Sequence, residues 1–242
     1  MGFNVKLIVC GDSNCQGVVN NYPVQLEAAV AALPSVDSLT IANLSVTGDR
    51  YVEHIARFQD VIDAIDAEKT NVLLGACGNN DLYLANDIFE EPPVDEPART
   101  QAQVEGDTEQ FLSLARNAGI TKIALRTVPA RAYSGTNWNV WLPDRIGYNE
   151  WLRAGGGELA GVAISDLPGE DPLFEYDPSQ VGTPIEGYSG VMLAGNYGGD
   201  DTHFNDTPGT ASAVAIDTAA IATLLRTVNL RGLTFPLFQA SI

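Results

Sequence analysis

The chain has 242 residues, 45% of them apolar and 18% charged. That is enough for one folded α/β domain with a sizeable core and no need of a disulfide or metal staple. Asp and Glu number 31 against 13 Lys and Arg, a net charge of −18, which argues against binding a phosphate backbone or an anionic lipid surface. No apolar run approaches the roughly 18 residues of a membrane span, so neither a nucleic acid nor membrane insertion is expected.

The first element, Val5–Cys10, is a short apolar run that reads as a strand rather than a secretion signal. Residues 23–33 read as a helix, with Pro23 in its first turn and Leu26, Val30 and Leu33 on one stripe. Leu39–Leu44 reads as a second strand. Tyr51–Ala67 reads as one amphipathic helix burying Ile55, Phe58, Ile62 and Ile65. His54 in that helix is expected at the surface or its boundary. Val72–Ala76 is continuously apolar, as in a buried parallel strand.

Thr100–Ala118 reads as a long helix ended by Gly119. Ile120–Val128 is a fourth strand stopped by Pro129, Arg145–Ala154 a helix followed by three glycines, and Gly161–Leu167 a fifth strand. The last helix spans Pro208–Leu225, with Thr207 as N-cap and Pro208 at its first position. Five strands alternating with helices predict a mostly parallel sheet covered on both faces, a three-layer α/β/α sandwich. Residues 1–227 form the expected domain. The tail 228–242, with Leu233, Phe235, Leu237 and Phe238, either packs on the body or links to another module. Two irregular insertions stand out. Residues 82–99 are rich in Asp, Glu and Pro and read as a solvated loop or a rim beside the site, and residues 168–199 are Gly-, Pro- and Asp-rich.

In an open α/β sheet the working site lies beyond the carboxyl ends of the strands. Gly11-Asp12-Ser13 follows the first strand directly and can expose a hydroxyl there, although such a triplet alone also marks an ordinary turn. A serine nucleophile needs a base, and the base needs an orienting acceptor. Asp200-Asp201-Thr202-His203, just before the last helix, supplies His203, with Asp200 placed to reach back to its Nδ1. Gly78-Asn79-Asn80-Asp81 follows the third strand, where an Asn side-chain N–H can face a developing oxyanion, and Gly48 can add a backbone N–H. Asp12 and Asn79, next to these groups, are candidates for substrate contact.

These four segments, in this order, resemble the SGNH hydrolases, the GDSL-like esterase/lipase superfamily. The first block is Gly11-Asp12-Ser13, the second Asn43-Leu44-Ser45-Val46-Thr47-Gly48, the third Gly78-Asn79-Asn80-Asp81 and the last Asp200-Asp201-Thr202-His203. One departure is Asn14, where the family's first block has leucine. The resemblance implies a flavodoxin-like sandwich and a catalytic triad of Ser13, His203 and Asp200. It also implies an oxyanion hole made by the Ser13 N–H, the Gly48 N–H and the Asn80 amide, with no metal or other cofactor. Cys15 is a poor alternative nucleophile, because Ser13 already accounts for these partners. The Asp-rich loops match no twelve-residue calcium loop.

All three tryptophans lie between 138 and 151, after the fourth strand. Trp151 reads as packing between helix and sheet. Trp138 and Trp141, beside Asn137 and Asn139, are placed to stack on a sugar. No long apolar lid is visible, so the leading expectation is removal of a short acyl group, acetyl above all, from a carbohydrate ester. The alternatives are a lipase, lysophospholipase or thioesterase of the same superfamily, and, third, a carbohydrate-binding module without activity. Such a deacetylase would suit a module of a larger surface or virion protein, as in bacteriophage tailspikes, or equally a free cytoplasmic esterase.

Overall fold

The computed structural model describes residues 2–18, 20–83, 99–129, 138–171, 174, 203–204 and 208–226. Side chains of residues 83 and 138–142 are outside that description. Five strands, β1 (Phe3–Gly11), β2 (Val36–Asn43), β3 (Thr70–Ala76), β4 (Lys122–Arg126) and β5 (Ala163–Ser165), form one sheet in the order β2-β1-β3-β4-β5. Every neighbouring pair is parallel. The central strands are apolar on both faces because helices cover both. Leu7 and Ile8 of β1, Leu73 and Leu74 of β3, and Ala124 and Leu125 of β4 have no exposed surface. The edge strand β2 keeps several exposed residues, and the opposite edge strand β5 is only three residues long, a common way to blunt a sheet edge.

One helical layer contains α2 (Tyr22–Ala31) and α9 (Gly209–Leu224), which pack on each other and on β2, β4 and β5. The other contains α3 (Tyr51–Ala56), α6 (Gln101–Asn117) and α7 (Trp138–Ala154). This is the expected three-layer α/β/α, flavodoxin-like sandwich. No helix among the described residues is long and apolar enough to cross a membrane. The chain passes from β1 to β2 on one side and then to β3 on the other. The strand order therefore reverses between β1 and β3, where such folds open a crevice. Two short helices start at that point, α1 (Ser13–Gln16) after β1 and α5 (Asn79–Tyr83) after β3.

Several elements differ from the sequence reading. The helix expected over 51–67 is two helices, α3 and α4 (Phe58–Ala64), because Arg57 leaves helical geometry at φ −103°, ψ 23° while its guanidinium turns back to Asp49. The break rotates the apolar stripe, so Phe58 and Val61 are buried while Ile62 is 44% exposed. His54, expected at the surface or its boundary, is buried at 3% exposure. α7 begins at Trp138, upstream of Arg145, and runs through Pro143. It is fixed to the end of β4 by Asn149, whose amide donates to Val128 O and accepts from Val128 N, both at 2.8 Å. Pro208 caps α9 rather than opening it, and Thr207 lies outside the described residues.

α6 starts on Thr100, which exchanges hydrogen bonds with Gln103, and ends before Gly119 at φ +88°. A last helix, α8 (Leu167–Glu170), follows β5 and is capped by Asp166. The tail 228–242 and nearly all of the two irregular insertions lie outside the described residues.

Candidate active site

Ser13 is the first residue of α1, at the carboxyl end of β1. Asp12 caps that turn in extended geometry, its Oδ1 accepting from Asn14 N at 2.9 Å. The His203 Nε2 lies 2.9 Å from Ser13 Oγ, the distance at which the hydroxyl donates to an unprotonated imidazole. Ser13 is buried, at only 7% exposure. The backbone beside His203 is fixed as well: Phe204 N donates to Asn14 Oδ1 at 2.9 Å, and the Phe204 ring packs edge-on against Phe174. Asn14, the one departure in the first block, is thus a positioning residue. Asp200 lies outside the described residues, as do the side chains of Trp138 and Trp141.

The second wall comes from the loop after β2. Asp49 N donates to Val46 O at 3.1 Å, closing a turn in which Gly48 adopts φ +82°. A Cβ at Gly48 would meet no atom within 4 Å, so backbone conformation and not space calls for glycine. The turn is tied to α1 and to the end of β1. Asn43 Nδ2 donates to Cys15 O at 2.9 Å, Thr47 N donates to Gln16 Oε1 at 3.1 Å, and Val46 N donates to Gly11 O at 3.1 Å.

The third wall is the turn after β3. Gly78 has φ +104°, and a Cβ there would lie 2.7 Å from Val128 Cγ2, so both conformation and space call for glycine. Asn80 Nδ2 donates to Asp49 O at 3.1 Å, which joins the third wall to the second. Asn79 is buried, and its Oδ1 has no hydrogen-bond partner among the described residues. It lines a narrow gap with Asp12, Asn14, Arg126 and Phe204.

The second histidine has different work. His54 Nε2 stands 3.2 Å from Gly11 O and 3.3 Å from Asp49 Oδ2. A carbonyl only accepts, so Nε2 carries the hydrogen and bridges the end of β1 to the Gly48 loop. Burial lowers the His54 pKa against the opposing pull of Asp49. The sequence held no signal for this, since helical periodicity does not reveal which residues a neighbouring loop will cover.

Beneath α1 lies a buried polar cluster that sequence reasoning also missed. The Arg126 guanidinium pairs with Asp217, donates to Cys15 Sγ at 3.0 Å and covers the Tyr22 ring. Asp217 also accepts from Tyr22 Oη at 2.6 Å and Ser165 Oγ at 2.5 Å. The Cys15 thiol is fully buried, which pushes its pKa up to about 12 against the pull of Arg126. It is a packed anchor, not a nucleophile. Cys10 and Cys77 are also free and buried.

No protein-family model matches the chain, and no curated protein does. Solved structures do match. An α/β hydrolase from the metagenome of Lake Arreo is 17% identical over 93% of this chain and 98% of its own, with TM-score 0.63. An acetylxylan esterase of Geobacillus stearothermophilus is 14% identical over 94% of this chain and 99% of its own, with TM-score 0.62. A GDSL-like lipase of Bacteroides thetaiotaomicron is 16% identical over 91% of this chain and 89% of its own, with TM-score 0.59. The chain has the fold of the SGNH/GDSL-like esterases and lipases.

Proposed function

We propose that the protein is a carboxylic ester hydrolase that removes a short acyl group, acetyl first of all, from a carbohydrate ester. The observation that carries the hydrolase reading is the 2.9 Å contact of Ser13 Oγ with His203 Nε2 at the β1/β3 crevice. In the reaction, Ser13 Oγ bonds to the ester carbonyl carbon while its proton passes to His203 Nε2. The carbonyl oxygen becomes an oxyanion held by the Ser13 and Gly48 N–H groups and the Asn80 amide. Collapse breaks the bond to the alcohol, which leaves with the proton from His203. A water then attacks the acyl-enzyme, again giving its proton to His203, and Ser13 is released with the carboxylic acid. Asp200 is assigned to orient the His203 ring.

The carbohydrate ester is supported by composition and by likeness. A net charge of −18 disfavours an anionic micelle or phospholipid surface. Trp138 and Trp141 sit in a polar, turn-rich stretch of sequence suited to stacking on sugar, and one structural relative is an acetylxylan esterase. The setting we infer is a virion or cell-surface module acting on acetylated glycans or, equally, a free esterase. The likeness to a GDSL-like lipase favours the second reading, hydrolysis of longer acyl esters. A series of p-nitrophenyl esters from acetyl to palmitoyl, run beside acetylated polysaccharides, separates the two. Preference for acetyl, with acetate release and unchanged polymer length, is expected. Preference for eight carbons or more overturns the deacetylase reading, and equal turnover by Ser13→Ala overturns the serine-esterase reading.

A further inference from the structure

Residues 46–49 form the turn that carries Gly48, closed by the bond from Asp49 N to Val46 O. Gly48 stands third in it, where a positive φ such as its +82° belongs to a type II turn. The ester hydrolysis proposed above uses the N–H of the Thr47–Gly48 peptide, the central peptide of this turn. Glycine accepts either sign of φ, so that peptide can turn over at little cost unless the ends of the turn are held.

Both ends are held. At the first, Val46 N donates to Gly11 O at 3.1 Å. The last is Asp49, which is only 5% exposed. Its carbonyl accepts from Asn80 Nδ2 at 3.1 Å. Its carboxylate accepts from both terminal nitrogens of the Arg57 guanidinium, one of them at 3.2 Å, and meets His54 Nε2 at 3.3 Å. The same His54 Nε2 stands 3.2 Å from Gly11 O, so one imidazole N–H reaches the anchors of both ends. Gly11 lies two residues before Ser13. The contacts of Asp49 therefore run to the Asn80 turn, to α3 and the start of α4, and through His54 to the strand end that leads into the nucleophile.

We propose that Asp49 is a positioning residue, which clamps the Gly48 turn against His54, Arg57 and the Asn80 turn and so fixes two oxyanion donors in one geometry. The carboxylate oxygens are engaged by Arg57 and His54, so Asp49 acts through Gly48 and Asn80 rather than on the ester. Without the carboxylate, the last residue of the turn keeps only its main-chain bonds, to Val46 and Asn80, and His54 Nε2 keeps only Gly11 O. A misplacement of about 1 Å costs on the order of 10²-fold in rate, and here two donors share one anchor.

The inference rests on the ester-hydrolase reading, and its test keeps the two apart. The turnover of p-nitrophenyl acetate is measured for the wild type, Ser13→Ala, Asp49→Ala, Asn80→Ala and the Asp49→Ala/Asn80→Ala double variant, with a thermal melt of each. Asp49→Ala is expected to lower kcat roughly 10–100-fold with KM little changed. In the Asn80→Ala background the same change is expected to cost at least about threefold less than it does alone, because one of the two donors it holds is already gone. A merely structural role would leave the two losses multiplicative. Ser13-dependent turnover with wild-type kcat in folded Asp49→Ala, with a change in KM alone, or with multiplicative losses in the double variant, overturns the Asp49 assignment alone. Absence of Ser13-dependent turnover overturns the hydrolase reading and the role of Asp49 with it. If Asp49→Ala does not fold, Arg57→Ala decides, since that side chain is 38% exposed and can be removed without opening the core. It is expected to lower kcat at least about threefold with KM little changed, and wild-type kcat in folded Arg57→Ala overturns the proposal.

Discussion

Asn14 Oδ1 accepts a hydrogen bond from Phe204 N at 2.9 Å, so the residue after the serine holds the residue after its histidine partner. Asn14 is 3% exposed and Phe204 1% exposed. Asn14→Leu, which removes this acceptor, should cost about 1–3 kcal/mol. The expected outcome is a kcat roughly 10–100-fold lower with KM little changed, because the imidazole loses its register against Ser13. Steady-state kinetics with a thermal melt check this. Wild-type kcat in a folded Asn14→Leu protein would show that His203 is held by other contacts.

Asn80→Ala should lower kcat by roughly 10²–10³-fold, the usual effect of losing one oxyanion donor. It also removes the bond to Asp49 O, so the melting temperature should drop slightly. Asn80→Asp tests the chemistry separately. It keeps the size but replaces the donor with a group that only accepts when ionised, and activity should not recover.

His203→Ala should abolish Ser13-dependent hydrolysis, since Ser13 Oγ then has no base to accept its proton. Steady-state kinetics with a thermal melt check this, and wild-type kcat in a folded His203→Ala protein would remove histidine as the base.

The meeting of Ser13, the Gly48 loop and the Asn80 turn was legible because each follows a strand, and strand ends in a parallel sheet converge on one edge; His203 stood out only as one of two histidines, placed just before the last helix. The parallel sheet was legible because continuous apolar runs such as Val72–Ala76 can only be buried on both faces. What stayed hidden depends on contacts distant in sequence. Asp217 sits among alanines and threonines in α9, and nothing local announces that Arg126, Tyr22 and Ser165 meet it. The break at Arg57 likewise follows from Asp49, which lies in a different loop.

Asp217 is fully buried and is the acceptor for Arg126, Tyr22 and Ser165. Asp217→Ala leaves the Arg126 charge in the interior with a cavity beside it. Breaking a buried pair in this way costs about 3–5 kcal/mol, so the variant should melt far below the wild type. Replacing both partners, in Arg126→Met/Asp217→Leu, should recover much of the loss, because no unpaired charge remains. Urea unfolding of the single and double variants measures this, and a stable Asp217→Ala protein would refute the central place of the pair.

His54 supplies a pH dependence of stability that is separate from catalysis. Burial holds its folded-state pKa below the ordinary value of 6.5, although Asp49 and Gly11 O pull it up. Below pH 6.5 the unfolded chain therefore binds a proton that the folded protein resists. Stability from this group is full above pH 6.5 and is lost as pH falls below it, down to the folded pKa. Asp81 acts in the opposite sense: its folded pKa of about 7 lies above the ordinary 3.8, so its contribution is lost as pH rises through that interval. The two partly cancel in the wild type, and only a difference measurement separates them. His54→Gln keeps a side-chain N–H for Gly11 O but cannot titrate. Its stability relative to the wild type should therefore improve steadily as pH drops from 7 to 5. Urea midpoints for the two proteins across that range check the sign. A difference that stays constant with pH would show that His54 has the same pKa in the folded and unfolded chains, and so takes up its proton without cost beside Asp49.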